Sequence, residues 1–436
     1  MKLKNKKVLV YGLGDSGRSA LKLLKNHRAD VSFFDDDIKY YEYVGFERNP
    51  QDKQYDLVVV SPGVKCLNNP LLEIFRQKNI EIISEIDLAY LFSRGKIIAI
   101  TGTNGKTTTC MLVNQILRTA GYNTFLCGNI GLPFSSICEK TNKHSVTVCE
   151  VSNFQLETSK YFRADISAVL NVRPDHLDRH GTFEEYFATK KKIAQNLKKR
   201  DLLILNFDDE NSKKMILHKK YQFFSKKMLK NGVFVKKNQI FVKRKSILSL
   251  NEINLLGEKN LENVLASVAI CSHFKVSNQN FSKAISSFRP ASHRTEIVGC
   301  ENGVTFVDDS KATNVASTIA CVETFKNKDI ILLMGGQGKD IDYGELFCKN
   351  FKFRKVICFG ADRKNIFRNA QLFGYDCDEF PHFDDAVIFA KEVAKSGEYV
   401  LLSPACSSFD EFSSYAQRGE RFKELILSQK REAGDV

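Results

Sequence analysis

The stretch ITGTNGKTTTC, Ile100 to Cys110, is the one on which the reading of this chain turns. A phosphate-binding loop has the form G-x-x-x-x-G-K-[ST]. Gly105, Lys106 and Thr107 supply its end, but the place of the first glycine is held by Ile100, and the early glycine is Gly102. The context is nevertheless that of a phosphate loop. An apolar strand, KIIAIT, runs in, and Met111, Leu112, Gln115, Ile116 and Ala120 follow at helical spacing, with Gly121 as the stop. Gly102 and Gly105 let the backbone turn and aim N–H groups at anionic oxygens. The helix N-terminus adds partial positive charge. Lys106 is placed to reach terminal phosphates and Thr107 to hold Mg²⁺. The shortened loop, Gly102, Thr103, Asn104, Gly105, Lys106, Thr107 and Thr108, is therefore expected to bind ATP.

On either side of the loop, short apolar runs alternate with helical patterns, which predicts parallel sheets in α/β domains. KKVLVYGLG, DLVVVSPG and IEIISE form one set; KIIAITG, SVTVCEVS, ISAVLNV and LLILN a second; VTFVDDS, DIILLMGG, KVICFG and YVLLSPA a third. A chain of 436 residues is too long for one core. Three α/β domains are expected, 1–86, 87–289 and 290–436.

Bulk properties narrow the class. No apolar run approaches the roughly 18 residues of a membrane span, and the basic N-terminus reads as a first strand instead of a leader. The twelve cysteines include no C-x-x-C pair, which fits reduced thiols in a cytoplasm. The net charge is +14, with much of the excess between Lys190 and Lys245. Three readings fit that excess: nucleic-acid binding, a solvated lysine-rich surface, and a field that attracts small polyanions. No nucleic-acid motif accompanies it. The expectation is a cytoplasmic monomer without nucleic-acid or membrane partners.

One lysine lies on an apolar face. GTFEEYFATKKKIAQNLKK opens with Thr182 and Glu185 as a capping box. Phe183, Tyr186, Phe187, Ile193, Ala194 and Leu197 form a stripe whose central position is Lys190, while Lys191 and Lys192 fall on other faces. A desolvated lysine has a lowered pKa and a reactive neutral amine; the alternative is a lysine that snorkels from the stripe's edge. Upstream, NVRPDHLDRHGT places Asp175, His176, Asp178 and Arg179 after a strand, and CEVSNFQLE places Glu150 and Ser152 after another. Ligands of α/β sheets bind at those strand ends. Glu150 and His176 suit a metal, and a structural histidine is the competing reading.

Taken together, TGTNGKTTT, GNIGLP, EVSNFQLE, NVRPDHLDRHG, HRTE, DDSKATN, GGQGKD and LLSPACSSFDEFSSYAQRG resemble the Mur ligases of peptidoglycan synthesis, in order, from Gly12 to Gly419. The SPACSSFDEF and DDSKATN forms are similar to those of the member that adds D-glutamate. The resemblance implies a Rossmann-like N-terminal domain for a uridine nucleotide, a central phosphate-loop ATPase domain and a Rossmann-like C-terminal domain for the incoming amino acid. It implies an amide-forming reaction in which ATP, with Mg²⁺, activates the carboxylate of UDP-N-acetylmuramoyl-L-alanine as an acyl phosphate that the amine of D-glutamate then attacks.

Residue by residue, the same resemblance implies Lys106, Thr107 and Thr108 at ATP and Mg²⁺, Glu150 and His176 as metal ligands, and Lys190 as a carbamate derived from CO₂ that also faces the metal. It implies Gly14, Asp15, Ser16, Asp35 and Ser61 at the UDP moiety, and Asn129, Ser152 and Gln155 at the muramoyl part. Asn260, Arg294, Asp309 and Lys311 would lie on the ATP side, and Thr313, Lys339, Ser408 and Phe409 in the D-glutamate pocket. Three positions depart from the family pattern: Lys259 stands where a histidine is common, Asn153 where a serine is frequent, and Asp37 where the uracil would meet a cation.

Other readings compete. GLGDSG is a complete G-x-G-x-x-G with Asp35 after the next apolar run, the fingerprint of a dinucleotide oxidoreductase. It leaves the ATP loop and Lys190 unexplained, and the same helix-terminus physics accepts a UDP diphosphate. A ligase for a different amino acid, including a folate polyglutamate ligase, and a non-enzymatic RNA binder are the remaining alternatives.

Overall fold

A computed structural model describes residues 3–37, 40–255, 257–338 and 341–428. Among the described residues nineteen strands form three sheets. The first holds β1 (Lys7–Tyr11), β2 (Asp30–Phe34), β3 (Leu57–Val60) and β4 (Glu81–Ser84), in the order β2-β1-β3-β4, all parallel. The second holds β5 (Lys96–Thr101), β6 (Thr124–Gly128), β7 (Val146–Glu150), β8 (Ile166–Val169), β9 (Leu202–Asn206), β10 (Tyr221–Ser225), β11 (Val233–Lys236), β12 (Gln239–Val242) and β13 (Lys245–Ser249). Its order is β13-β12-β11-β10-β9-β8-β5-β7-β6. The phosphate-loop strand β5 thus lies inside the sheet, paired with β7 and β8. The third holds β14 (Glu296–Glu301), β15 (Val304–Asp308), β16 (Ile330–Gly335), β17 (Phe353–Phe359), β18 (Cys377–Phe380) and β19 (Tyr399–Ala405), in the order β14-β15-β19-β16-β17-β18.

The strands β3, β7, β8, β9 and β16 are buried at every residue. That is why they read as unbroken apolar runs and not as alternating ones: helices cover both faces. The lysine-rich stretch after residue 220 folds as antiparallel hairpins, β11 with β12 and β12 with β13, at the edge of the second sheet. The sign of the charge there matches an edge kept from pairing with other chains.

The chain divides into two compact units, Met1–Asn254 with Glu262–Phe288, and Leu255–Leu261 with Arg289–Val436. The first unit holds two sheets because one apolar core runs through both, from Val8, Val10 and Leu24 to Ile97, Cys149 and Phe162. The helix Glu85–Phe92 is the peg between them. Its Asp87, fully buried, accepts from Ser84 N and Oγ, from Ser159 Oγ and from the backbone N–H groups of Lys160, Tyr161 and Phe162. All twelve cysteines are free. Among the described residues no helix is long and apolar enough to cross a membrane.

Candidate active site

β5 delivers the loop, and the helix Lys106–Thr119 leaves it. Gly105 caps that helix at φ +83°, in the left-handed region, and a Cβ there would run into Asn263 Oδ1. Glycine is required twice over, by conformation and by space. The helix buries Leu112, Val113, Ile116 and Leu117, while Met111 and Gln115 are only half-buried. The apolar face differs from the sequence reading because the helix is covered on two sides, by the sheet and by the helix Asn278–Ser286, whose Ala284 carbonyl accepts from Gln115.

The loop is held internally. Lys106 Nζ donates to the carbonyls of Gly102 at 2.7 Å and Thr103 at 2.8 Å. Asn104 N donates to Asn171 Oδ1 at 2.9 Å. Thr107 Oγ1 donates to Glu150 Oε2 at 2.9 Å, and Asn129 Nδ2 donates to Glu150 Oε1 at 2.7 Å. Three residues named from separate motifs therefore meet on one carboxylate, itself only 2% exposed. Hard oxygen donors from a hydroxyl and a carboxylate are the set that suits Mg²⁺, so the residues present fit the ion.

Lys190 is 1% exposed, with Nζ 4.7 Å from the centroid of the Tyr186 ring. Among the described residues its ammonium has no hydrogen-bond acceptor. Burial, and next the charge of Lys106, hold its pKa well below the ordinary lysine value, against the opposing pull of Asp175. The structure thus contains the inward-facing lysine, on the helix Phe183–Lys191 with the Thr182–Glu185 capping box. Lys192, on another face of the helix, has a partner of its own: Nζ donates to the Glu157 carbonyl at 2.6 Å. Glu157 in turn holds Arg179 through both carboxylate oxygens, at 2.8 and 2.9 Å.

His176 sits in the left-handed region at φ +52°, with its side chain half exposed and its ring 4.9 Å from that of Phe154. Its Nε2 is 3.6 Å from Asp175 Oδ2, and it is not hydrogen-bonded to Glu150. Ser152 and Gln155 form a buried capping box, the Gln155 amide oxygen taking Ser152 N at 2.9 Å. Asn153 donates to His180 Nε2 and to the Tyr186 carbonyl, which gives the asparagine at this position a structural reason. In the first sheet, Gly14 caps the helix Asp15–Asn26, which begins with Asp15 and Ser16, and Ser61 is buried. Asp35 accepts from Leu13 N at 2.5 Å and Asp37 N at 2.9 Å, so its carboxylate braces the glycine turn.

In the second unit, Asp309 is buried behind β15, where its carboxylate takes Ser403 Oγ and Thr295 N, each at 3.0 Å. Burial raises its pKa to about 7 against those bonds. Lys311 Nζ lies 3.6 Å from the centroid of Tyr415. Arg294 follows His293, and Asn260 lies in the first turn of the helix Glu258–Cys271. Thr313 and Phe409 are exposed and Ser408 buried; Lys339 lies outside the described residues. Among the described residues, the group of acids and histidines close enough to ligate a metal is His293, Glu296 and Asp308. Lys423 Nζ stands 3.0 Å from Glu296, and the two imidazole nitrogens face Asp308 at 2.6 Å and Glu420 at 3.2 Å. The imidazole, the three acids and Lys423 thus occupy one another as a closed polar network.

Two residues were missed in the sequence. Asn263 packs on the loop at Gly105 and accepts from Thr109 Oγ1; its i, i+3 spacing from Asn260 was the available signal. Arg418 is fully buried and donates to Ser310 Oγ and O, Gly335 O, Cys406 O and Ser407 O. It ties together the ends of β15, β16 and β19, where Ser408 also lies.

Comparison with known proteins identifies the family. Residues 100–271 match the Mur ligase middle domain, and residues 293–406 match the Mur ligase, glutamate ligase domain. The UDP-N-acetylmuramoylalanine--D-glutamate ligase of Alkaliphilus metalliredigens is 38% identical over 99% of this chain and 100% of its own. That of Koribacter versatilis is 38% identical, over 98% of both chains. Two solved structures from Thermotoga maritima share the fold. UDP-N-acetylmuramate-alanine ligase MurC has a TM-score of 0.62 at 19% identity, over 97% of this chain and 100% of its own. MurF ligase in complex with ADP has a TM-score of 0.63 at 16% identity, over 99% and 96%. With relatives at this identity along nearly its whole length, the chain belongs to the Mur ligase family.

Proposed function

We propose that this protein is an ATP-dependent ligase that adds D-glutamate to UDP-N-acetylmuramoyl-L-alanine in peptidoglycan precursor synthesis, acting as a cytoplasmic monomer. The observation that carries the reading is the meeting of Thr107, Glu150 and Asn129 at the head of the glycine loop, in a chain that matches D-glutamate-adding ligases from end to end. On this reading residues 1–86 bind the UDP substrate, 87–289 bind ATP and 290–436 bind D-glutamate.

The chemistry follows from the reactants. A carboxylate is a poor electrophile. Attack of the alanyl carboxylate oxygen on the γ-phosphorus of ATP expels ADP and leaves an acyl phosphate. The D-glutamate amine then attacks the acyl carbon, phosphate departs, and the amine's proton is lost. Gly102 to Thr108 receive the phosphate chain, and Lys106 exchanges its two loop carbonyls for phosphate oxygens. Mg²⁺ held by Thr107, Glu150, His176 and Lys190 as its carbamate would neutralise the crowded oxygens. The neutral amine of Lys190 is the form that adds to CO₂, releasing one proton. Asn129, Ser152 and Gln155 orient the muramoyl part, and Gly14, Asp15, Ser16, Asp35 and Ser61 take the UDP end. Asn260, Arg294, Asp309 and Lys311 attend ATP, while Thr313, Lys339, Ser408 and Phe409 select D-glutamate.

The test is phosphate release with ATP, Mg²⁺ and UDP-N-acetylmuramoyl-L-alanine while the amino acid is varied. D-glutamate should support turnover, and L-glutamate, L-alanine and diaminopimelate should not. Turnover with one of these in place of D-glutamate would assign the chain a different step.

A further inference from the structure

The second sheet has a basic cleft at the end opposite its phosphate loop. Lys96 opens β5, Val146 opens β7, Ile166 opens β8 and Leu202 opens β9, and all four line it. Two cavities of about 420 and 450 Å³ share Lys96, His273 and Phe274. Each is within the range of ligand pockets, roughly 300–1,000 Å³. β5 has six residues, so about 20 Å of strand separates the cleft from Gly102. Ligands of α/β sheets normally gather at the other end, and no step of the ligase reaction draws on this one.

Its walls carry positive charge that the fold answers only at Arg200, 3.9 Å from Asp201, among the described residues. Lys96, Arg200 and Lys220 line the first cavity, and Lys143 and Lys275 the second. Among the described residues, Lys96, Lys143, Lys220 and Lys275 have no carboxylate partner. The two acids in the wall are already engaged. Asp201, 1% exposed, is gripped by Arg163 through Nε and Nη2, each at 2.6 Å, and by Lys198 N. Asp165 accepts from Ile97 N at 2.9 Å and lies 3.8 Å from the Arg163 guanidinium. Partial burial, and then the charges of Lys220 and Lys243, hold the His273 imidazole below its ordinary pKa, as expected in a positive field.

The cleft also presents a ring. Phe274, half-exposed, lines both cavities, with Lys96 Nζ 5.1 Å from its centroid. Tyr122 meets it edge-on at 5.4 Å, and the Tyr122 hydroxyl accepts from Lys275 N at 2.9 Å, which fixes the turn. Converging cations beside an aromatic face suit clustered phosphate charge with a planar ring attached.

We propose that this cleft is a second anion site, separate from the catalytic loop, that takes a small molecule bearing adjoining phosphates, as a nucleotide does. The test is equilibrium dialysis of the full chain against ADP and, separately, inorganic pyrophosphate, with saturating UDP-N-acetylmuramoyl-L-alanine to fill the N-terminal glycine loop. The wild type should take up two ADP per chain. Lys106→Ala should keep one, and the Lys96→Ala/Lys275→Ala variant should keep the other with turnover within about twofold of wild type. The second site should weaken at least about tenfold on loss of the two lysines, by removal of charge-assisted contacts. Pyrophosphate bound to Lys106→Ala as tightly as ADP assigns the site to phosphate charge alone; tighter ADP adds the ring on Phe274. A single ADP in wild type with no pyrophosphate bound to Lys106→Ala would overturn the proposal. So would a second site indifferent to Lys96→Ala/Lys275→Ala, or binding of single-stranded RNA in place of both anions.

Discussion

The hydroxyls of Thr103 and Tyr186 lie 3.0 Å apart. One hydrogen bond therefore joins the phosphate loop to the helix that carries Lys190. Thr103 Oγ1 also bonds Arg173 N and O, so the pair anchors the loop from behind. Tyr186→Phe should cost about 1 kcal/mol in urea denaturation and lower kcat by about tenfold or more through misplacement of loop and lysine. Loss of stability with unchanged kcat would show that the bond supports the fold alone.

Lys106 is the fixed cation of the loop. Lys106→Ala should reduce phosphate release at least about a hundredfold, the scale on which a preorganised electrostatic partner contributes. Circular dichroism should be unchanged, because the side chain reaches its own loop carbonyls and no core.

Lys190→Ala should be folded and nearly inactive, and acetate should restore part of the activity by replacing the missing oxygens. Lys191→Ala should lie within about 0.5 kcal/mol of wild type, its partner being the Phe187 ring at 4.6 Å. Lys192→Ala should cost about 1 kcal/mol, because it strips the donor from the Glu157 carbonyl. In CO₂-free buffer the native state binds this lysine's proton less readily than the unfolded chain does. Stability should therefore rise with pH from the depressed folded value up to the ordinary 10.5. Lys190→Met should remove that slope in denaturation curves taken at several pH values.

Arg418 should be the costliest position of the second unit. Arg418→Ala takes this donor from a buried hydroxyl and from the carbonyls of Ser310, Gly335 and Cys406, a loss of about 3 kcal/mol or more in chemical denaturation. Arg418→Lys should not restore it, because an ammonium cannot span partners that a planar fork reaches together.

Asp309 should impose an opposite pH dependence. Its folded pKa, about 7, lies above the ordinary 3.8, so the native state holds the proton more tightly between those values. Its contribution is fully present below the unfolded value and is lost as pH rises through 7. Asp309→Asn should be more stable than wild type at pH 8, and the difference should vanish near pH 4. A constant difference across that range would show that the carboxyl does not titrate there.

What the sequence disclosed depended on distance along the chain. The turn from β5 into its helix is written within eleven residues, and the lysine on the apolar stripe within fifteen, so both could be read directly. The buried faces of the helix Lys106–Thr119 could not, because the second covering element is the helix Asn278–Ser286, far along the chain. Arg418 looked like one charged residue of a C-terminal helix. Its partners are 11, 12, 83 and 108 residues away, and only the closed sheet brings them to one guanidinium. The partner of Lys192 was out of reach for the same reason, since its acceptor is a backbone carbonyl 35 residues upstream.

The two oxygens of Glu150 are each committed, one to Thr107 and one to Asn129. A cation drawn to this carboxylate competes with both donors, and whatever engages the Asn129 amide leaves an oxygen open. Two ligands that each require one side of the same broken bond favour one another's binding by the same factor. The carboxylate thereby acts as a thermodynamic latch: closed while both sites are empty, and opened from either side to the advantage of the other.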